Sequence, residues 1–306
     1  LAMSAIRSNV GLYVVVMLSL WVIGSSGVQA QQVSYSGSMQ YTSGTYFFDK
    51  TTETFSFSNG LGINGERMSI SFSVPYIVQN SPWISYGAAG FLPTGGPQHK
   101  FLQDSTGRRP GKGDGDGGGN TSDFTARKIA SDDPPIIIPD TASYTESSFG
   151  DPTLFANVKL FTSPHGDTNI QLNTSLKVPV ADPNTGFGTG EWDIGLGASV
   201  SHRLEDFFFF ADLTKWWFGD LPDLELKDPI SYTFGVSHWI GGGKWFINST
   251  LTGYTEIIND YDPPLDFGAG LGFIASERAT LNSTISMGMS ESSADVSVGV
   301  GWSIKL

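Results

Sequence analysis

The sequence contains no cysteine, which removes disulfide frameworks and thiolate metal sites from consideration. Charge is scarce too: charged residues make up 15% of the chain, against about 25% in an ordinary soluble domain. A water-facing surface of this size would need more. The charge present is acidic, with a net value of −13, and much of it sits in loop-like stretches such as Asp114, Asp116, Asp132, Asp133, Asp260 and Asp262. No basic stripe exists to neutralise phosphates, so nucleic acid is not an expected partner. The four histidines (His99, His165, His202 and His238) match neither HExxH nor an i,i+4 pair, so neither a metal nor a cofactor is expected.

One apolar run stands out. Residues 10–23 are dominated by Val, Leu, Met, Trp and Tyr behind the single charge of Arg7, and Val28-Gln29-Ala30 closes the segment with a small-x-small pattern. The run is too short for the roughly twenty residues of a spanning helix and has the layout of an export signal. Residues 1–30 are therefore expected to be removed, with residues 31–306 as the mature domain.

The chain as a whole is rich in Gly (38 residues) and in aromatics (13%), and from residue 150 onward it alternates with period two. Val296, Val298, Val300, Trp302, Ile304 and Leu306 alternate with Ser297, Gly299, Gly301, Ser303 and Lys305. The same holds for Leu265, Phe267, Ala269, Leu271 and Phe273 against Asp266, Gly268, Gly270 and Gly272. A soluble sandwich would carry Lys, Glu and Thr on its second face and have strands of about five or six residues. Here that face is Gly, Ser, Asn and Thr, and the segments have the length that crosses a bilayer obliquely. The expected fold is all-β: a transmembrane, antiparallel, up-and-down β-barrel of about twelve strands in the bacterial outer membrane. Its first strands fall near 33–48, 52–61 and 66–79. Short and long breaks alternate, as periplasmic turns and extracellular loops do. The longest, 80–149, holds the tracts GKGDGDGGG (111–119) and DDPPIIIP (132–139) and reads as a partly disordered extracellular loop, with 83–91 as either a further strand or part of that loop.

Aromatics placed near strand ends predict membrane-interface girdles: Trp192, Trp217, Trp239, Trp245 and Trp302. Parity predicts lumen-lining charges at Lys159, Lys177, Asp193, Asp212, Glu256 and Asp266, and lumen-lining rings at Phe208, Phe210, Phe246 and Tyr254, with Phe155 and Phe161 sharing that parity. Lys177 and Asp193 are expected to influence ion selectivity. A barrel enzyme would need a Ser–His pair at the rim, but Ser201-His202 and Ser237-His238 are neighbours in sequence and point to opposite faces. Asp114-Gly-Asp116 lacks the terminal Glu of a calcium loop.

Some features are specific enough to suggest a family. Gly150-Asp151 opens a strand, Lys177-Val178-Pro179 closes another, and Gly186-Phe187-Gly188-Thr189-Gly190 precedes Trp192-Asp193. Over about half of its length the chain resembles the phenol meta-pathway degradation (MetA-type) outer-membrane transporters, and more distantly fatty-acid channels. The resemblance implies a barrel associated with uptake of hydrophobic or aromatic compounds. The 80–149 insertion and the terminal Leu306, where many barrels end in Phe, depart from the pattern. The expected function is passive uptake of small, hydrophobic or aromatic solutes, with outer-membrane lipid, the assembly machinery and those solutes as partners, and no catalysis. A sealed barrel acting through its long loop is the alternative, and a barrel lipid hydrolase a more remote one.

Overall fold

The computed structural model describes residues 31–48, 50–88, 90–95, 145–221 and 224–306. The expected export signal and the GKGDGDGGG and DDPPIIIP tracts lie outside these described residues. Three long strands, β1 (Gln32–Gly44), β2 (Thr52–Asn64) and β3 (Met68–Gln79), open the domain. A small hairpin comes next, β4 (Ser85–Gly87) with β5 (Gly90–Leu92). From residue 146 onward come β6 (Glu146–Phe149), β7 (Thr153–Thr162), β8 (Thr168–Lys177), β9 (Asp193–Leu204) and β10 (Phe207–Trp217). The chain closes with β11 (Ile230–Ile240), β12 (Trp245–Tyr254), β13 (Leu265–Ser276), β14 (Ala279–Gly288) and β15 (Val296–Lys305).

Twelve of these strands form one closed antiparallel barrel. β1 pairs with both β2 and β15, the latter from Ser34 opposite Lys305 to Ser43 opposite Val296. β3 joins β2 to β7, and each later strand pairs with its sequence neighbour. β6 and β7 are two successive pieces along β3, separated by Gly150-Asp151-Pro152. The region 83–91 forms the β4–β5 hairpin, outside the barrel sheet.

Closure leaves no sheet edge, the condition for strands to span hydrocarbon. The outward face carries the apolar rows: Leu61 (58% exposed) lies beside Tyr35 and Phe72, and Leu271 (43% exposed) beside Ile247. The inward face carries small polar rows such as Ser36, Gly60 and Ser73. Brief connections (65–67, 163–167, 205–206, 241–244 and 277–278) share one end with the first and last strand ends, and the long ones gather at the other. By the rule for such barrels, the first end is periplasmic and the second extracellular.

Candidate functional site: a plugged mouth above a polar vestibule

The described parts of the long loops pack together over the barrel mouth. Tyr46, Phe47 and Phe48 from the β1–β2 connection pack with Trp83, Ile84 and Leu92 around the small hairpin, with Phe218, Leu221, Leu224 and Leu226 after β10, and with Ile257 and Ile258 after β12. β1 and β11 stand on opposite sides of the barrel, so these side chains can meet only over the mouth. Phe47 and Tyr261 are in ring contact at 4.4 Å. The gap left where Leu92 and Pro93 meet Ile257, Ile258 and Tyr261 is only about 10 Å³, room for about one water. The extracellular end thus carries an apolar plug.

Tyr46 sits in that plug with its hydroxyl buried and unpartnered among the described residues. Burial pushes its pKa well above the usual phenol value. An unsatisfied buried hydroxyl costs about 1–3 kcal/mol. Tyr46→Phe is therefore expected to leave stability unchanged or raise it by about 1 kcal/mol, checked by denaturant unfolding in vesicles.

Hydrogen bonds align the plug. Gln79 Nε2 donates to the Thr185 carbonyl at 3.0 Å, and Tyr86 N–H to the Gly186 carbonyl at 3.0 Å. The glycine-rich segment is explained by this packing. Gly186 has φ +77°, and a Cβ there would lie 2.5 Å from both Gln79 Nε2 and the Ile84 carbonyl oxygen. A Cβ on Gly188 would lie 2.5 Å from Asp151 Oδ2. Neither position accepts a side chain while the plug is closed.

Beneath lies an ionic cluster. Lys177 Nζ reaches Asp151 Oδ2 at 2.8 Å and Asp193 Oδ2 at 3.3 Å, and donates to the Thr189 hydroxyl and the Glu191 carbonyl. The side chains of Lys177 and Asp151 are 0% exposed and that of Asp193 is 3%. Lys177 and Asp193 face inward, but the plug covers them, so neither borders open space where a passing ion would feel it. This corrects their expected place in a pore lining. The physical reason is that loop residues, not the strand pattern, decide what lies above an inward side chain. Glu191 nearby is partly buried, which raises its carboxyl pKa, while Lys177 opposes the shift.

Below the plug, toward the periplasmic end, the described residues leave a cavity inside the barrel. This cavity of about 510 Å³ is bordered by Ser36, Ser58, Ser71, Ser73, Asn282 and Phe246, among others. Among the described residues, no charged side chain lines it. The wall opposite the serine-rich strands carries inward rings: Phe208 and Phe210 are 6.2 Å apart, and Trp239 and Phe246 5.0 Å. These rings lie against the wall, because Phe210 covers Gly235 and Phe246 covers Gly272, its cross-strand partner.

The other sequence candidates divide. Asp212 projects inward and accepts from Asn173 Nδ2 at 2.8 Å and Thr214 Oγ1 at 3.0 Å. Asp266 and Tyr254 project inward on β13 and β12, Tyr254 against the plug. Lys159 lies on the inward row opposite Gln171, and Phe155 opposite Ser71 and Ser175. Phe161 turns outward, since the register slips between Lys159 and Phe161. Glu256 does not line the lumen: β12 ends at Tyr254, and Glu256 is in the exposed loop beyond it, paired with Lys227 and accepting from the Asp260 N–H at 2.9 Å. That pairing holds its carboxyl below the usual range. Of the girdle candidates, Trp217, Trp245 and Trp302 lie on outward rows, with Trp192 exposed just before β9. Trp239 does not join them. The 241–244 turn pairs Ile240 with Trp245 and so Trp239 with Phe246, which puts Trp239 inside.

The Ser–His possibility does not assemble. Ser201 and Ser237 share the inward rows of β9 and β11, and His202 and His238 the outward ones. His202 Nδ1 lies 2.9 Å from Thr168 Oγ1 on the outward face, and no carboxylate orients that imidazole among the described hydrogen bonds. Among the described residues, no group of three metal-binding side chains comes together.

No family model and no curated protein matches this chain. Among solved structures, an outer membrane channel from Pseudomonas putida F1 superposes with a TM-score of 0.58 at 11% identity, covering 92% of this chain and 97% of that one. The P. putida toluene transporter TodX gives a TM-score of 0.43 at 11% identity, covering 91% of this chain and 90% of that one. The KdgM porin gives 0.44 at 7% identity, covering 90% of this chain and 99% of that one. At 11% identity the likeness to the P. putida F1 channel is one of fold. The chain has the architecture of a bacterial outer-membrane β-barrel.

Proposed function

We propose that the chain, exported on its N-terminal signal and inserted by the outer-membrane assembly machinery, is a passive outer-membrane channel for small neutral solutes with hydrophobic or aromatic character. The observation that carries this reading is the vestibule of about 510 Å³ inside a closed barrel, which combines hydroxyl and amide groups with Phe246 and, among the described residues, lacks a charged lining. Such a surface offers hydrogen bonds and an aromatic face without penalising an uncharged solute by desolvation. The apolar plug above it acts as a hydrophobic gate, a barrier that ions cross poorly and apolar molecules more easily. Kinship with the MetA-type transporters belongs to the same proposal and rests on the Lys177-Val178-Pro179 and Gly186–Gly190 motifs.

The test is conductance and solute flux of the refolded mature protein in planar bilayers and liposomes. Small intermittent currents, blocked by neutral aromatic solutes, are expected. Removal of residues 83–92 should give larger and steadier currents. The tight packing of the plug favours a second reading, a sealed barrel whose role lies in its outer loops. Stable insertion with neither current nor flux, with or without residues 83–92, would decide for it.

A further inference from the structure

We propose that Lys177, Asp151 and Asp193 form a latch that holds the plug closed, with Lys177 as its positioning residue. The cluster fastens three separate segments to the wall. Asp193 Oδ2 accepts from the Ala88 N–H of the small hairpin at 3.1 Å, and Oδ1 from the Gly219 N–H after β10 at 3.2 Å. Asp151 Oδ1 accepts from the Val180 and Ala181 N–H groups at 2.9 Å each, which holds the β8–β9 loop. Lys177 fixes that loop again through Thr189 and the Glu191 carbonyl. Its one ammonium is shared by both carboxylates, so every segment depends on the same charge.

Without the ammonium, two carboxylates would stay buried close together. Buried ions of like charge are tolerated only if water reaches them, and here water can enter only if the loops lift. The apolar contacts of the plug supply closure and the latch supplies register, so removing Lys177 should release the segments together. The latch requires only the fold; its effect on passage rests on the channel reading above.

The absence of cysteine from the chain allows a single reporter. Ile84, 0% exposed in the plug, is replaced by Cys, and labelling by a membrane-impermeant maleimide is timed on refolded protein whose barrel is confirmed by its heat-modifiable gel mobility. Adding Lys177→Met should speed labelling at least tenfold, while a Cys at Ser73 in the vestibule reacts equally in both backgrounds. Asp193→Asn is the milder second variant, and it should speed labelling by a smaller factor and carries the test if Lys177→Met does not refold. Equal Ile84→Cys rates in folded wild-type and variant barrels would overturn the latch. Conductance of the same samples separates the two proposals. Faster labelling without current supports the latch and counts against the channel, whereas rising current with unchanged labelling supports the channel and overturns the latch.

Discussion

Leu271→Arg is expected to destabilise the barrel by about 2–4 kcal/mol, the cost of an arginine on a lipid face near the bilayer midplane. Leu271 lies near the centre of β13, faces outward between Ile247 and Ser283, and is 43% exposed on the face that meets lipid. Its guanidinium would have to snorkel along half the strand to reach headgroups. Ser73→Arg is the matched control: it sits on the inward row opposite Gly60 and borders the vestibule. Its cation would meet water rather than lipid, so unfolding free energy should change by less than about 1 kcal/mol while conductance falls. Reversible unfolding in denaturant, with both proteins in vesicles, reads the difference. A reversed order would mean that the lipid and lumen faces are the other way round.

The barrel is legible in the sequence because strand geometry repeats every two residues and the membrane punishes exceptions. Alternation in β13 and β15, seen in Leu271 and Val300 against Gly270 and Gly301, requires one lipid face and one inner face. Sequence and structure part where the period is interrupted. Phe161 shares its parity with Lys159 in the sequence, but the irregularity between them turns it outward. Glu256 continues the parity of Tyr254 past the end of β12, where parity has no meaning. Trp239 lies close to a turn, which suggests a girdle, although an inward Phe246 already implies an inward partner across a four-residue connection.

The plug is less legible, because nothing periodic marks loops that fold back. A compositional signal is nonetheless present. Tyr46-Phe47-Phe48, Trp83-Ile84, Phe218 with Leu221, Leu224 and Leu226, and Ile257-Ile258 are dense apolar groups in connections that would otherwise face water. Exposed clusters of that size are unfavourable unless they meet something apolar, and at the end of a barrel they have one another. The glycine-rich 186–190 segment enters the sequence reading only as a family-like motif; in the fold, Gly186 and Gly188 are points of close approach between the loop and its support. Apolar loop content and close-packed glycines together indicate a closed mouth, and with it the burial of Lys177 and Asp193.

The second large effect concerns Asp151. Asp151→Ala should cost about 3–5 kcal/mol, since it breaks a buried pair and leaves the Val180 and Ala181 N–H groups without their acceptor. Asp151→Asn should cost less, because its side-chain carbonyl can still accept from those two groups, although its amide would face the Lys177 ammonium donor to donor. Asp193→Ala should also cost less than Asp151→Ala. Its ion pair with Lys177 is longer, 3.3 Å against 2.8 Å, and its two backbone donors sit at 3.1 and 3.2 Å rather than 2.9 Å. The loss has a ceiling: once the plug opens, water satisfies the freed groups, so the measured destabilisation cannot exceed the free energy that closes the plug. Unfolding in vesicles should therefore rank the variants Asp151→Ala, then Asp193→Ala and Asp151→Asn. If Asp193→Ala proved the costlier alanine variant, the hairpin and the β10–β11 loop, rather than the β8–β9 loop, would be the segments that depend most on the cluster.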